Sequence, residues 1–180
     1  HDHLIFNFTK KKLIFNDVRK FGFVKIFDNK EVSNCSHIKK LGPEPLSSKF
    51  CYEYFKNNLN RKTNIKNLLM NQSFVAGLGN IYCSEILFRS NIEPIRPINL
   101  IKDYEIIKIV NSVKEILLNS IKLGGTTIKN FVVSDEKIGY FKNELMVYGR
   151  DGMGCFKCKN KIVKITQSGR STFFCSQCQK

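Results

Sequence analysis

An α+β fold is expected from three features of the sequence. Short strand-like segments open the chain, a central block carries helical periodicity, and two matched cysteine pairs close it. Together they predict a partial antiparallel β-sheet, then a compact bundle of four helices, then a hairpin clamped by a metal. At 180 residues the chain has room for one ordinary domain, or one plus a small module. With 42% hydrophobic and 12% aromatic residues it can bury a sizeable core.

The strands come first. Residues 3–8, 12–16 and 21–27 ("HLIFNF", "KLIFN", "FGFVKIF") are short, β-branched and aromatic, and polar stretches separate them. The chain opens on "HDHLIFNF", without Met and already alternating, so a piece of a longer protein is expected. Residues 1–30 are assigned to this sheet. Residues 31–47, ending in the Pro- and Gly-bearing "LGPEPLSS" stretch, are assigned to a linker.

Helices are expected in "SSKFCYEYFKNNLN" from a serine cap, in "TNIKNLLMNQ" from Thr63 and in "NIYCSEILFRS" from Asn80. The longest follows Pro97 and Asn99. Ile106, Val110, Val113, Leu117 and Ile121 recur at three- and four-residue spacing, and Gly124-Gly125 stops the run. Short connections make this block, 48–145, a bundle. The stretch after Gly125 has neither period and reads as a long loop.

Charge narrows the partners. Thirty Lys and Arg against fifteen Asp and Glu give a formal net charge of +15, a field that attracts polyanions. An AT-rich coding bias would explain the choice of lysine but not the shortage of acids. Nucleic acid is the favoured partner, with a membrane surface or a ribosomal partner as alternatives. No apolar run reaches the roughly 18 residues that span a bilayer, and no signal segment opens the chain, so the cytoplasm is the expected compartment. Cys35, Cys51 and Cys83 lie far apart and read as reduced core thiols, not a disulfide framework.

Three stretches carry chemistry. Cys155, Cys158, Cys175 and Cys178 have the two Cys-x-x-Cys knuckles of a four-cysteine zinc ribbon, one structural Zn²⁺ being the expected cofactor in residues 146–180. Between them, "KIVKITQ" and "RSTFF" flank a turn at Ser168-Gly169, placing Arg170 at the tip of a hairpin. Arg170 is read as a phosphate contact, against the alternative of a solvated turn residue. In "FVAGLGNIY", two glycines precede a helix starting at Asn80, so backbone amides and a side-chain amide can face an anion. The alternative is a plain turn between helices. In "DVRKFG", Arg19, Lys20 and Phe21 set cations beside an aromatic ring, as a wedge into stacked bases requires. Alone, the alternative of Phe21 in the sheet core is the stronger reading.

Taken together, the sequence resembles the formamidopyrimidine-DNA glycosylase family. The shared order of "HDH", "DVRKFG", "LGPEPLS", "KTNIKNLLMNQSFVAGLGNIYCSEILF", "GGTT", "GYF", "VYGRDGMGC" and "RSTFFCSQCQK" runs along essentially the whole chain. The resemblance implies a base-excision repair enzyme, a bifunctional glycosylase and abasic-site lyase. It would remove oxidised purines (8-oxoguanine and formamidopyrimidines) and cut the strand by β,δ-elimination. It implies that 1–30 is the remnant of a β-sandwich catalytic domain, that 48–145 is a helix-two-turns-helix DNA-binding domain, and that the 124–141 loop closes over the everted base. Asn80, Lys66 and Arg170 would hold phosphates. Arg19 and Phe21 would fill the gap left by the flipped base, and His1 would match a DNA-contacting histidine.

The implied partner is double-stranded DNA carrying oxidised bases or abasic sites, met by a monomer in the bacterial nucleoid. In this family the nucleophile is the amine of an N-terminal proline, followed by an acid-base glutamate, and this sequence contains neither at its start. The chain is therefore expected to be about the C-terminal two thirds of such an enzyme, binding DNA without catalysing. Alternatives are an endonuclease VIII-like enzyme for oxidised pyrimidines, a truncated non-enzymatic DNA-binding protein, and an unrelated zinc-ribbon protein of transcription or ribosomes.

Overall fold

The computed structural model describes residues 1–126 and 140–180, with the backbone alone at 33. These residues form two compact units, His1–Lys39 and Lys40–Lys180. The architecture is mixed α+β, as expected, with a two-stranded sheet in the first unit and a helical block with a second two-stranded sheet in the second.

In the first unit, β1 (Asp2–Asn7) pairs antiparallel with β2 (Lys12–Asn16), with Ile5 opposite Ile14 and Phe6 opposite Leu13. A tight turn joins them, Phe8 N–H donating to the Lys11 carbonyl at 2.9 Å. The third expected strand, 21–27, is not a strand, and among the described residues nothing pairs with it. Alternating Phe, Val and Ile supply propensity, but a strand exists only through ladder bonds to a neighbour. Ile26 is accordingly 94% exposed. The linker region holds a 3₁₀ turn at Val32–Asn34 and one turn of α-helix, α1 (Ser36–Lys39).

The second unit is built on four helices: α2 (Tyr52–Lys56), α3 (Ile65–Met70), α4 (Asn80–Ser90) and α5 (Asp103–Lys122). The apolar spacing of α5 turns Ile106, Ile109, Val110 and Val113 onto Ile86 and Leu87 of α4. Phe50, Phe55 and Phe74 pack edge to face beneath them, with Phe55 and Phe74 centroids 5.1 Å apart. Gly42 is obligatory here: a Cβ on it would lie 2.4 Å from the Phe74 carbonyl. The expected stop of α5 occurs in a left-handed turn, with Gly124 at φ 75° and Gly125 at φ 87°. The Gly125 N–H returns to the Ser120 carbonyl at 2.8 Å.

Two helix starts differ from expectation. No serine caps α2. The Ser47 hydroxyl donates to the Glu44 carbonyl at 2.7 Å instead, and the helix waits until Tyr52. α3 is capped by Asn64, not Thr63. The Asn64 Oδ1 accepts the Asn67 N–H at 2.9 Å, and the Ile65 and Lys66 N–H groups reach the Arg96 and Pro94 carbonyls. A tertiary partner thus satisfies the end of α3 that local sequence was expected to cap.

The C-terminal hairpin comprises β3 (Val163–Gln167) and β4 (Arg170–Phe174), joined at Ser168 (φ 49°) and Gly169 (φ 72°), a turn with both central residues left-handed. Phe88 of α4, Val147, Ile162 and Phe173 form a second small core beneath it. Glu85 of α4 ties the incoming chain down, its carboxylate accepting the N–H groups of Met146, Val147 and Tyr148 at 2.8, 3.0 and 2.8 Å. Burial pushes this carboxyl up, against the three amides. No helix among the described residues is long and apolar enough to cross a membrane.

Glu85→Gln turns one acceptor into a donor facing a buried N–H. The expected loss is about 1–3 kcal/mol of unfolding free energy, read from urea denaturation.

Candidate nucleic-acid interface and metal centre

The metal centre is legible in its geometry. The four sulfurs of Cys155, Cys158, Cys175 and Cys178 lie within 4.8 Å of one another. The Cys158–Cys175 pair is 3.4 Å apart and the Cys155–Cys178 pair 3.9 Å apart. Tetrahedral Zn–S bonds of about 2.3 Å require sulfurs about 3.8 Å apart, so the set suits zinc after shifts of under about 1 Å. Burial pushes the Cys155 thiol up, but the Cys158 and Lys157 amides and the neighbouring thiols bring it down to about 7. Burial and then its three neighbours push Cys178 up to about 12. Four thiolates at this spacing need a cation among them. Gln179 docks the second knuckle onto the helical block, accepting from the Cys175 N–H at 2.9 Å and donating to the Ile92 carbonyl at 2.8 Å.

The hairpin that this centre holds lies against α3 and α4, and there three of the anticipated residues meet. Asn80, first residue of α4, donates from Nδ2 to the Ser171 carbonyl at 2.8 Å and lies 3.5 Å from the Tyr148 hydroxyl. Lys66 is 1% exposed, and its ammonium donates to Asn80 Oδ1 and Thr172 Oγ1, both at 2.6 Å. Burial is the main reason its pKa falls to about 8, and the Arg170 guanidinium adds to it. Lys66 therefore lies beneath the surface. Arg170 is exposed at the hairpin tip, its Nη1 3.9 Å from the Met70 Sδ. Beside it, Asn67, Met70, Asn71, Gln167 and Ser168 line a groove of about 280 Å³, with Asn67 Nδ2 donating to Ser168 Oγ at 2.9 Å. The loop before α4 is open: no atom lies within 4 Å of a Cβ built on Gly77 or Gly79.

The first unit presents its own cluster. Asp17 accepts the N–H groups of Arg19 and Lys20 at 3.0 Å and of Gly22 at 2.6 Å. These amides, Gly22 foremost, hold its carboxyl below the usual range. The loop so formed leaves Phe21 77% exposed with the Arg19 guanidinium 4.8 Å above its ring, so Phe21 is not in a sheet core. His1 is exposed beside this turn, its carbonyl accepting the Asp17 N–H at 3.1 Å. Of the 124–141 loop, residues 127–139 lie outside those described. At its ends Thr126 bridges Tyr140, and the Tyr82 hydroxyl pairs with Ser120 and Thr126.

Sequence reasoning missed Asp17, Thr172 and Gln167. An Asp opening a turn is a recognisable signal for the first. Nothing local marks the other two, whose partners are about a hundred residues away.

Two outcomes follow. Stripping zinc removes several kcal/mol of metal-binding energy. At about 2–4 °C per kcal/mol for a chain of this size, the melting temperature falls by on the order of 10 °C, read by calorimetry alongside metal content. Lys66 is depressed in the folded state, so unfolding takes up a proton between about pH 8 and 10.5, and stability rises with pH across that window. Wild-type protein accordingly gains stability relative to Lys66→Met as pH rises from about 8, read from urea midpoints of the two chains.

Comparison with known proteins places these features in a family. Residues 41–132 match the formamidopyrimidine-DNA glycosylase H2TH domain, and residues 155–180 match the zinc finger found in that glycosylase and in isoleucyl-tRNA synthetase, making the four-cysteine cluster a structural zinc site. The chain is 46% identical over 182 residues to the formamidopyrimidine-DNA glycosylase of Rickettsia bellii, and 43% identical over 181 residues to that of Rickettsia conorii. All or nearly all of the chain is covered (100% and 99%), but it spans only 66% of each relative. Among solved structures, the Lactococcus lactis enzyme with DNA containing Fapy-dG superimposes at a TM-score of 0.92 and 39% identity, over 100% of this chain and 66% of that one. The Thermus thermophilus protein gives 0.89 and 32%, over 99% of this chain and 68% of that one. The chain belongs to the formamidopyrimidine-DNA glycosylase family.

Proposed function

We propose that this chain is the damaged-DNA-binding part of a base-excision repair enzyme, a bifunctional glycosylase and abasic-site lyase for oxidised purines, working in the bacterial cytoplasm at the nucleoid. The single observation that carries the reading is the convergence of Asn80, the open glycine loop and Arg170 on one stretch of surface, held by a zinc-clamped hairpin. The first N–H groups of α4 have no intrahelical acceptor and, with the Asn80 amide, suit a phosphate. Arg170 adds a charged fork for a neighbouring one. Arg19 and Phe21 form a cation and ring that suit the space left by an extruded base. His1 is a further proposed DNA contact.

In the whole enzyme, an amine attacks C1′ of the damaged nucleoside and the base departs with the glycosidic bonding pair and a proton; the C1′–O4′ bond then breaks, O4′ taking a proton, and the Schiff base so formed permits elimination of the two flanking phosphates. No residue of this chain is assigned as that nucleophile. Its proposed part is to hold the kinked backbone, which offsets an extrusion cost of a few kcal/mol. A role for the 124–141 loop over the everted base belongs to the same proposal, as does the organisation into a 1–30 sheet domain, a 31–47 linker, a 48–145 helical domain and a 146–180 zinc module. Complexes of the Lactococcus lactis relative with abasic-site and Fapy-dG DNA support the substrate class.

Fluorescence titration of the zinc-loaded chain against duplexes with an abasic site, 8-oxoguanine or neither tests this. Damaged duplexes should bind more tightly. Arg170→Ala should weaken binding about tenfold, or ~1.4 kcal/mol, and lower the salt slope by about one. Equal affinity for damaged and undamaged DNA would sink the reading, and preference for oxidised pyrimidines would favour the endonuclease VIII-like alternative. A borohydride-trapped adduct would place a nucleophilic amine within this chain.

A further inference from the structure

Lysines are seldom fully buried, and one with both described hydrogen bonds made to neutral oxygens needs a reason. The Lys66 ammonium is 1% exposed and holds Asn80 Oδ1 and Thr172 Oγ1 at 2.6 Å each. Thr172 Oγ1 in turn donates to Gln167 Oε1 at 3.2 Å, and Gln167 Nε2 donates to the α3 cap residue Asn64 at 2.6 Å. The chain of bonds runs from the start of α3, through the zinc hairpin, to the start of α4. Besides Asn80 and Thr172, the groups facing Lys66 are Cys83 from α4 and Arg170 from β4.

We infer that Lys66 is a positioning residue that fixes which way the Asn80 amide faces, and not itself a phosphate contact. An ammonium has donors only, so the amide must turn its oxygen inward to meet it. The nitrogen then faces the Ser171 carbonyl at 2.8 Å, and among the described residues only the Tyr148 hydroxyl, at a long 3.5 Å, competes for its second N–H. That N–H is left for an anion. Without the ammonium, the Ser171 carbonyl alone opposes a flip that would present the amide oxygen, which repels phosphate. A buried cation also adds positive field behind the site without exposing a side chain that salt would screen. The arrangement couples the zinc hairpin to the helix start: Ser171 and Thr172, adjacent on β4, hold Asn80 and Lys66 at once.

The inference rests on the DNA-binding reading above, and a double-mutant cycle on the zinc-loaded full chain separates the two. Wild type, Lys66→Met, Asn80→Ala and the double variant are titrated against a duplex with a tetrahydrofuran abasic analogue at several salt concentrations. Each single change should weaken binding about fivefold or more, while Lys66→Met in the Asn80→Ala background should change it less than about twofold. The salt slope of Lys66→Met should match wild type, and Lys66→Gln, which keeps a donor, should recover part of the affinity. Additive losses with a slope lower by about one would overturn the inference in favour of direct phosphate contact. If Lys66→Met fails to fold, judged by zinc content and near-ultraviolet circular dichroism, Lys66→Gln and Thr172→Val carry the cycle. Should the parent chain bind no DNA, the functional reading fails, and the Asn80 side-chain amide resonances decide this one. A shift in Lys66→Gln supports the Lys66–Asn80 coupling and unshifted resonances overturn it.

Discussion

The four-cysteine cluster is the constraint on which the second unit's functional surface depends. A five-residue hairpin pair with one tip turn has little core of its own. Phe173 and Ile162 reach only a small apolar cluster shared with Phe88 and Val147. Metal ligation supplies what that core does not, by tying both strand ends to one point. Everything presented by β4 then becomes rigid: Arg170 at the tip, the Ser171 carbonyl toward Asn80, and the Thr172 hydroxyl toward Lys66. Zinc takes no part in chemistry in this arrangement and still sets where the groups on β4 stand.

Polar burial follows from the same constraint. Joining a zinc module to a helical block leaves backbone and side-chain groups stranded at the seam, and each must find a partner. Glu85 meets three amides of the entering strand, Gln179 bridges a knuckle to the end of α4, and Lys66 fills the space between two helix starts and the hairpin. Among the described residues no buried side-chain polar atom is left without a partner. Such a seam is specific, since half-satisfied alternatives are costly. It also explains why a lysine is buried at the seam.

Much of this was legible in the residues. The long α5 announced itself through Ile106, Val110 and Val113, and its end through two glycines whose positive φ only glycine adopts freely. The cysteine spacing named the metal and the hairpin turn together. The strand at 21–27 was misread because its composition is that of a strand, whereas pairing is a property of a neighbour. The start of α3 was misread because Thr63 and Asn64 are both good caps, and the loop at 94–96, thirty residues on, decided between them.

Local chemistry was thus settled by the sequence alone: which segments coil into helices, where they stop, which sulfurs share an ion, and which family the ordered motifs belong to. These depend on interactions within about a turn of helix or a hairpin, and short spacing encodes them. Only the tertiary structure decided that Lys66 is buried, that Asn80 is held oxygen-inward, and that Thr172 and Gln167 belong to the site. Those positions rest on contacts between residues up to 106 apart. No local pattern specifies such a contact, because it forms only when separately folded elements are pressed together with their polar groups still needing partners.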